Sequence, residues 1–341
     1  MQSGLLKGRK RRAEPEIAMK VFIILNPASG KKTGEPINEA IRRYFTGSNI
    51  DYEVYETKKD DKPGDIVRAR LKDGFDLVVA AGGDGTVSAV IDGLVGSRAA
   101  LAIIPSGTEN LLARDLAVPL EIEKAVELIT APHKFRKIDA MRIGKRAYIL
   151  NVSLGISAAV ISGTTPKSKS RFGRIAYLWT GILKIFTFRN RYLVVTIDGK
   201  VHTVRALEAS ISNCGLLSKV LYPKGPEVCI DDGHVDVYIM SLKTLLDYPR
   251  YLFAMITGRP AKRLSHFINC QKSISIKSKI PLPVQADGDI IGTTPIEVEV
   301  LAGALTVLVP EKPLDISDKD VDMQRVRSQY RPRFAQMGRR K

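Results

Sequence analysis

The sequence predicts an α/β chain: a parallel-sheet domain over residues 19–142, followed by a β-rich domain, a sandwich, over residues 143–312. Two observations carry that expectation. An apolar strand-like run gives way to a glycine-bearing turn and then to helical spacing three times before residue 117, starting at Val21, Asp76 and Ala102. Such alternation builds a parallel sheet covered on both faces, with a ligand crevice at the C-terminal ends of its strands. Beyond about residue 143 the texture changes to short strands of alternating or apolar character.

Residues 1–18 are polar and basic, with Lys7, Arg9, Lys10, Arg11 and Arg12, and no apolar run follows, so they do not read as a secretory signal. They read as a disordered tail, with Met19 as an alternative initiator and with an electrostatic membrane anchor as a second use. Val21 to Leu25 is a buried-type strand that enters the turn Asn26-Pro27-Ala28-Ser29-Gly30-Lys31-Lys32. Gly30-Lys31 is not a P-loop, because Leu25 stands at the first glycine position and Lys32 at the Ser/Thr position. Ile37 to Phe45 reads as helix, Tyr52 to Glu56 as a strand ending at Thr57, and Pro63 to Leu71 as a helix with proline near its start.

Asp76 to Ala80 is the next strand, and it runs into Ala81-Gly82-Gly83-Asp84-Gly85-Thr86-Val87-Ser88, the centre of the chain. Three glycines in four positions let the backbone turn sharply and approach a ligand without a Cβ between them. The helix that follows, Ala89 to Leu94, would offer free N–H groups and the positive end of its dipole to a phosphate. A carboxylate among phosphates is repelled unless a cation or a transferable proton accompanies it, so Asp84 suggests metal or proton chemistry. The third unit is strand Ala102 to Ile104, turn Pro105 to Asn110 and helix Leu111 to Leu116, and Ile122 to Ile129 is a further helix.

In the second domain, Arg146 to Ser153, Tyr192 to Ile197, Val201 to Ile211, Val235 to Met240, Ser273 to Lys277, Ile296 to Val300 and Leu305 to Val309 read as strands. Asp198-Gly199 is a hairpin turn between two of them. Ile175 to Phe188 and Leu245 to Ile256 read as helices. Thr164 to Arg174 carries Lys167, Lys169, Arg171 and Arg174 without an acid, and it feeds an aromatic helix suited either to core packing or to a membrane interface. An acidic stretch, Asp315 to Asp322, and a basic one, Arg325 to Lys341, form a charged tail over residues 313–341.

The net charge is +17, which favours anionic partners: a membrane surface, nucleotides or nucleic acid. No nucleic-acid module is visible, so none is expected as a partner. Cys214, Cys229 and Cys270 are widely spaced without C-x-x-C, and His133, His202, His234 and His266 do not cluster with them, which argues against zinc and fits a reducing cytoplasm. No apolar run reaches the ~18 residues of a membrane span.

Asn26-Pro27-x-Ser29-Gly30, Gly82-Gly83-Asp84-Gly85-Thr86 and Pro105-x-Gly107-Thr108-x-Asn110, in this order, resemble the diacylglycerol kinase catalytic domain. The resemblance is closer to its bacterial lipid-kinase branch, related to sphingosine kinases and more remotely to NAD kinases, and it spans roughly residues 19 to 312. It implies ATP as donor, Mg²⁺, and a membrane lipid reached peripherally from the cytoplasmic side. It assigns Asn26, Pro27, Ala28, Ser29, Gly30, Thr57, Gly82, Gly83, Asp84, Gly85, Thr86, Val87, Ser88 and Thr108 to ATP. Asp287-Gly288-Asp289 resembles the family's Asp-Gly-Glu signature, which implies Asp289 as proton acceptor, one methylene shorter than the family's glutamate. Asp84 competes for that role or for magnesium, and an ordinary hairpin turn is the bland alternative. Asp231-Asp232-Gly233-His234 resembles a structural magnesium stretch, implying the Asp232 carboxylate with carbonyl-side contacts from Cys229 and His234. Diacylglycerol is the favoured acceptor. A sphingoid base, another glycerolipid, a soluble substrate and a non-catalytic nucleotide or lipid binder are the rivals.

Overall fold

The computed structural model describes residues 18–30, 34–158, 190–221, 227–242, 244, 246–257 and 264–311. The basic N-terminal stretch, Lys31 and Lys32, the Thr164–Arg174 loop with its aromatic helix, and the tail over 313–341 lie outside them.

The first half runs β1 (Met19–Leu25), α1 (Gly34–Phe45), β2 (Ile50–Glu56), α2 (Pro63–Arg70), β3 (Leu77–Gly82), α3 (Asp84–Leu94), β4 (Ala100–Pro105), α4 (Leu111–Asp115), α5 (Ile122–Thr130) and β5 (His133–Ile143). Strands β2, β1, β3 and β4 pair in parallel in that order. β3 and β4 are buried at every residue, because helices cover both faces of the sheet. Phe22 and Ile24 pack into the layer with α2 and α3, whereas Val21, Ile23 and Leu25 pack into the layer with α1 and α5.

The second half runs β6 (Arg146–Tyr148), β7 (Asn151–Gly155), β8 (Arg191–Ile197), β9 (Lys200–Ala206), β10 (Glu208–Ser212), α6 (Gly215–Leu221), β11 (Val235–Met240), α7 (Asp247–Thr257), β12 (Ser265–Cys270), β13 (Ser273–Ser278), β14 (Pro283–Ala286), β15 (Asp289–Thr293) and β16 (Ile296–Pro310). One sheet has the order β12-β11-β10-β7-β14-β15. The other is the parallel sheet continued as β4-β16-β13-β8-β9. Aliphatic residues from both sheets form one core, including Val152, Leu154, Val195, Ile211, Val237, Ile276 and Val298. This is a mixed α/β architecture with a β-sandwich second half, as the sequence predicts.

The long strand β16 joins the halves. It pairs with β13 antiparallel near its start, with β5 along its length, and with β4 parallel at Val307. Ile296–Val300 and Leu305–Val309 are therefore not separate strands. A bulge between Leu301 and Leu305 interrupts the register, and Gly303 there sits at φ 56°, with its N–H on the buried Asp139 carboxylate at 2.6 Å.

Two other runs expected as single strands are divided. Arg146 to Ser153 becomes β6 in one sheet and β7 in the other, because the N–H groups of Ile149, Leu150 and Asn151 turn to the Asp287 carboxylate. Val201 to Ile211 becomes β9 and β10, which cross between sheets at Leu207. Strands β5, β12, β14 and β15 and helix α6 are additions to the sequence reading. The Asp198-Gly199 hairpin is present, with φ of 48° and 82° at its two turn residues.

Candidate active site

The three glycine-bearing turns meet at the C-terminal edge of the parallel sheet. Asn26 N–H donates to Ala81 O at 2.9 Å, Thr57 N–H to Leu25 O at 2.8 Å, and Ser106 N–H to Gly82 O at 3.0 Å. The chain therefore leaves β1, β2, β3 and β4 at adjacent points. The Asn26 amide donates to Thr86 Oγ1 at 3.0 Å, and its Oδ1 accepts the Ala28 N–H at 3.0 Å. The Ser29 hydroxyl bonds to Asn26 O at 2.9 Å and to the Ser106 hydroxyl. These bonds fold the first turn onto the other two. Pro27, Ala28, Gly30 and Thr108 are exposed on the same rim.

The turns at Gly83 and Gly107 touch backbone to backbone. A Cβ on Gly107 would lie 2.6 Å from Gly83 Cα, and one on Gly82 would lie 2.5 Å from the Thr86 side chain. Glycine is required here by contact, since no side chain fits. Helix α3 begins at Asp84 with Gly83 before it and no side-chain cap. Uncapped N–H groups at the start of an eleven-residue helix suit an anion.

Asp84 faces the neighbouring turn. Its Oδ1 accepts the Leu111 N–H at 2.6 Å. Burial raises its pKa in spite of this donor. The acid of the glycine turn thus caps α4, whose own preceding residue Asn110 is left-handed at φ 49° and makes no side-chain cap.

Across from these turns stands the β14–β15 hairpin, with Asp287 at φ 48° and Gly288 at φ 96°. Asp287 accepts hydrogen bonds from the Ser88 hydroxyl at 2.6 Å, from Ile149 N–H and Leu150 N–H at 2.9 Å each, and from Asn151 N–H at 3.1 Å. Its pKa is raised by burial, against the lowering effect of those donors. Gln285 holds the same turn from inside: its Oε1 accepts the Gly288 N–H at 2.9 Å and its amide donates to Ser153 Oγ at 2.7 Å. Asp289 opens β15 and is exposed.

Cys229, Asp232 and His234 share one loop. Asp232 Oδ1 accepts the His234 N–H at 3.0 Å, the Cys229 thiol pKa is raised by burial and nearby acids, and Asp231 is paired with Arg136. Among the described residues no group of three His, Cys, Asp or Glu is placed to hold a metal ion. Sulfur is a soft donor, so only an all-oxygen set, Asp232 with loop carbonyls, suits a hard cation. The loop already has a protein anchor: Asp139 Oδ2 accepts the Gly233 N–H at 2.7 Å.

Sequence reasoning missed Ser106, Gln285 and Asp139, and it gave Asp287 no role of its own. Ser106 is a variable position of the Pro105–Asn110 turn, and Gln285 and Asp139 belong to no motif read from the sequence, so only the tertiary pairing brings them in. Asp115 was missed likewise: it accepts the Leu216 N–H at 2.8 Å and so ties the end of α4 to the start of α6.

An α/β domain with phosphate-suited turns at one sheet edge, facing an acid-bearing hairpin from a β-sandwich, defines a two-domain kinase. Residues 20–143 match the diacylglycerol kinase catalytic domain, and residues 150–309 match the YegS C-terminal NAD kinase beta sandwich-like domain. The chain belongs to the diacylglycerol kinase family, in its bacterial lipid-kinase branch, and is a lipid kinase. It is 28% identical to a diacylglycerol kinase of Staphylococcus haemolyticus (strain JCSC1435), over 85% of this chain and 88% of that protein. It is 29% identical to one of Staphylococcus aureus (strain Newman), over 84% and 91%. The crystal structure of a putative diacylglycerol kinase from Bacillus anthracis str. Sterne shares the fold, with a TM-score of 0.69 at 23% identity over 86% of this chain and 98% of that one.

Proposed function

We propose that this lipid kinase transfers the γ-phosphate of ATP to a lipid hydroxyl, with diacylglycerol converted to phosphatidate as the favoured reaction. The observation that carries this reading is the place of Asp289. It lies two residues beyond Asp287, whose carboxylate is bonded to Ser88 in the first turns of the phosphate-side helix α3. Two residues span at most about 7 Å. Ser88 lies four residues beyond Asp84, which is about 6 Å along the helix axis. These spans support a reading in which the exposed Asp289 carboxylate reaches the phosphate turns from the opposite wall of a cleft between the two halves.

In this reading Asn26 to Gly30, Thr57, Gly82 to Val87 and Thr108 line the ATP site; Ser88, which the resemblance also assigns to ATP, has its hydroxyl on Asp287. Their backbone N–H groups and the α3 dipole hold phosphate charge, and Asp289 accepts the proton of the attacking hydroxyl. Mg²⁺ on the nucleotide supplies charge neutralisation at the transferred group. A second, structural Mg²⁺ would be held by Asp232 with the carbonyls of Cys229 and His234. In this reading the enzyme meets its lipid peripherally from the cytoplasmic side, drawn by its charge of +17; among the described residues no helix is long and apolar enough to cross a membrane.

The test is phosphotransfer by the purified full chain from labelled ATP with Mg²⁺, against diacylglycerol, monoacylglycerol and a sphingoid base in mixed micelles. Label in phosphatidate supports the favoured reaction. Label in another lipid moves the acceptor, and label in none of them overturns the reading.

A further inference from the structure

Among the described residues, helix α3 makes two side-chain hydrogen bonds to the second half of the chain, on one face. Ser88 donates its hydroxyl to Asp287 at 2.6 Å, and four residues on, Asp92 Oδ1 accepts the Ala147 N–H at 2.8 Å. Residues four apart lie one above the other on a helix, so both contacts belong to one edge. The second contact pins β6, just before the segment whose N–H groups fill the rest of the Asp287 carboxylate. The start of α3 is the glycine turn itself.

We infer that Ser88 and Asp287 form a positioning pair, which fixes the acceptor-side Asp289 against the phosphate turn, and that Ser88 does not contact ATP. The inference rests on the reading of Asp289 as proton acceptor. Three observations support it. The Asp287 carboxylate receives four donors, three of them backbone N–H groups from residues 149–151, which is a fixed cradle. Ser88 is the only donor of the four that comes from the nucleotide side, 199 residues away in sequence. The hairpin is held in register from its inner face too, by Gln285 on the Gly288 N–H, so the remaining freedom of Asp289 is its placement relative to α3.

A hydroxyl on a carboxylate is a charge-assisted bond, short and directional. Losing it leaves the backbone cradle and the Asp92–Ala147 contact intact and frees only the placement of the hairpin tip against the start of α3. A misplacement of about 1 Å at a reacting group costs up to about 100-fold in rate. Both residues act through Asp289 and not on the substrate.

The experiment is steady-state kinetics of the full-length enzyme with Ser88→Ala, Ser88→Thr, Asp289→Asn and the double variant Ser88→Ala/Asp289→Asn. For Ser88→Ala, kcat falls about 10-fold or more while KM for ATP stays within about 2-fold. Ser88→Thr, which keeps the hydroxyl, recovers most of the rate. The double variant is no slower than Asp289→Asn alone, since a displaced base that is already disabled costs nothing more. A rise in KM for ATP at constant kcat would return Ser88 to the nucleotide and overturn the inference, as would multiplicative losses in the double variant. A wild-type rate for Asp289→Asn removes the base assignment instead, and that result is read independently of the Ser88 variants.

Discussion

Asp84 accepts the Leu111 N–H at 2.6 Å, so the only acid of the glycine turn is occupied in starting the next helix. That changes what a substitution there does. Asp84→Ala leaves the first N–H of α4 without an acceptor, and the loss of such a cap costs about 1 kcal/mol. Asp84→Asn keeps an acceptor oxygen, so it retains more than half of that stability. Urea denaturation of both variants separates the cases. Equal destabilisation by Ala and Asn would mean that the charge, and not the cap, is what the site uses.

Glu208 gives the chain a pH-dependent stability. It is buried at the start of β10, with its carboxyl on the Ser157 N–H at 3.0 Å and on the Ser157 hydroxyl, and burial pushes its pKa from 4.5 up to about 7. A raised carboxyl pKa favours the protonated folded state. Between the unfolded value and the folded one the native protein binds the extra proton, so stability falls as pH rises through that window, by up to about 1.4 kcal/mol per pH unit. Above pH 7 the slope ends. Asp236, raised to about 6 by burial and by Asp232, adds to the lower part of the window. Glu208→Gln removes the decline between pH 6 and 7 in melting experiments. A variant with the same pH slope as the wild type would clear Glu208 of the effect.

The parts of this fold legible in the sequence are those in which local pattern and tertiary role coincide. β1, β3 and β4 are short apolar runs because they are buried on both faces, and the glycine turns announce themselves because no side chain fits between Gly83 and Gly107. The illegible parts depend on partners far away in sequence. Nothing local in Arg146–Ser153 foretells a break, since the Asp287 carboxylate that draws off its N–H groups lies more than 130 residues away. The bulge in β16 likewise depends on Asp139, and β14 and β15, of four and five residues, are too short to stand out. At the candidate site the motif residues were readable, including Asn26, Ser29 and Thr86, which help tie the turns together, but Ser106, Gln285 and Asp139 were not.

Magnesium tests the Asp232 loop. If Asp232 and loop carbonyls bind the ion in the folded state alone, Mg²⁺ raises the melting temperature, by an increment that grows with concentration above Kd. Asp232→Ala loses that increment. Because Asp139 anchors Gly233 independently, the variant still folds in the absence of the ion. A magnesium increment that survives in Asp232→Ala places the ion elsewhere.

The charge of +17 predicts electrostatic binding to anionic membranes. Sedimentation with anionic vesicles falls steeply from low salt to high salt, because exposed charges are screened within about 10 Å at 0.1 M. Equal binding to neutral and anionic vesicles would contradict an electrostatic attachment.

Asp289 is the decisive residue, because two acids compete for the proton of the acceptor hydroxyl. Asp84 is partly buried and bonded to the Leu111 N–H, an arrangement that holds a carboxylate in place and leaves it little freedom to meet a lipid. Asp289 is exposed at the hairpin tip, and the residue two positions before it is locked to α3. Removing a general base costs about 10²–10⁴-fold in rate. Asp289→Asn therefore reduces kcat to that extent, with ATP affinity within a few-fold of wild type by equilibrium titration. Asp289→Glu restores a carboxylate with a longer arm and keeps substantial activity. Asp84→Asn lowers nucleotide affinity along with rate, since the cap and the phosphate turn share one backbone. The opposite pattern, in which Asp289→Asn turns over lipid at the wild-type rate and Asp84→Asn is inactive with intact ATP binding, would make Asp84 the base. The hairpin would then be a wall of the cleft and not its catalyst.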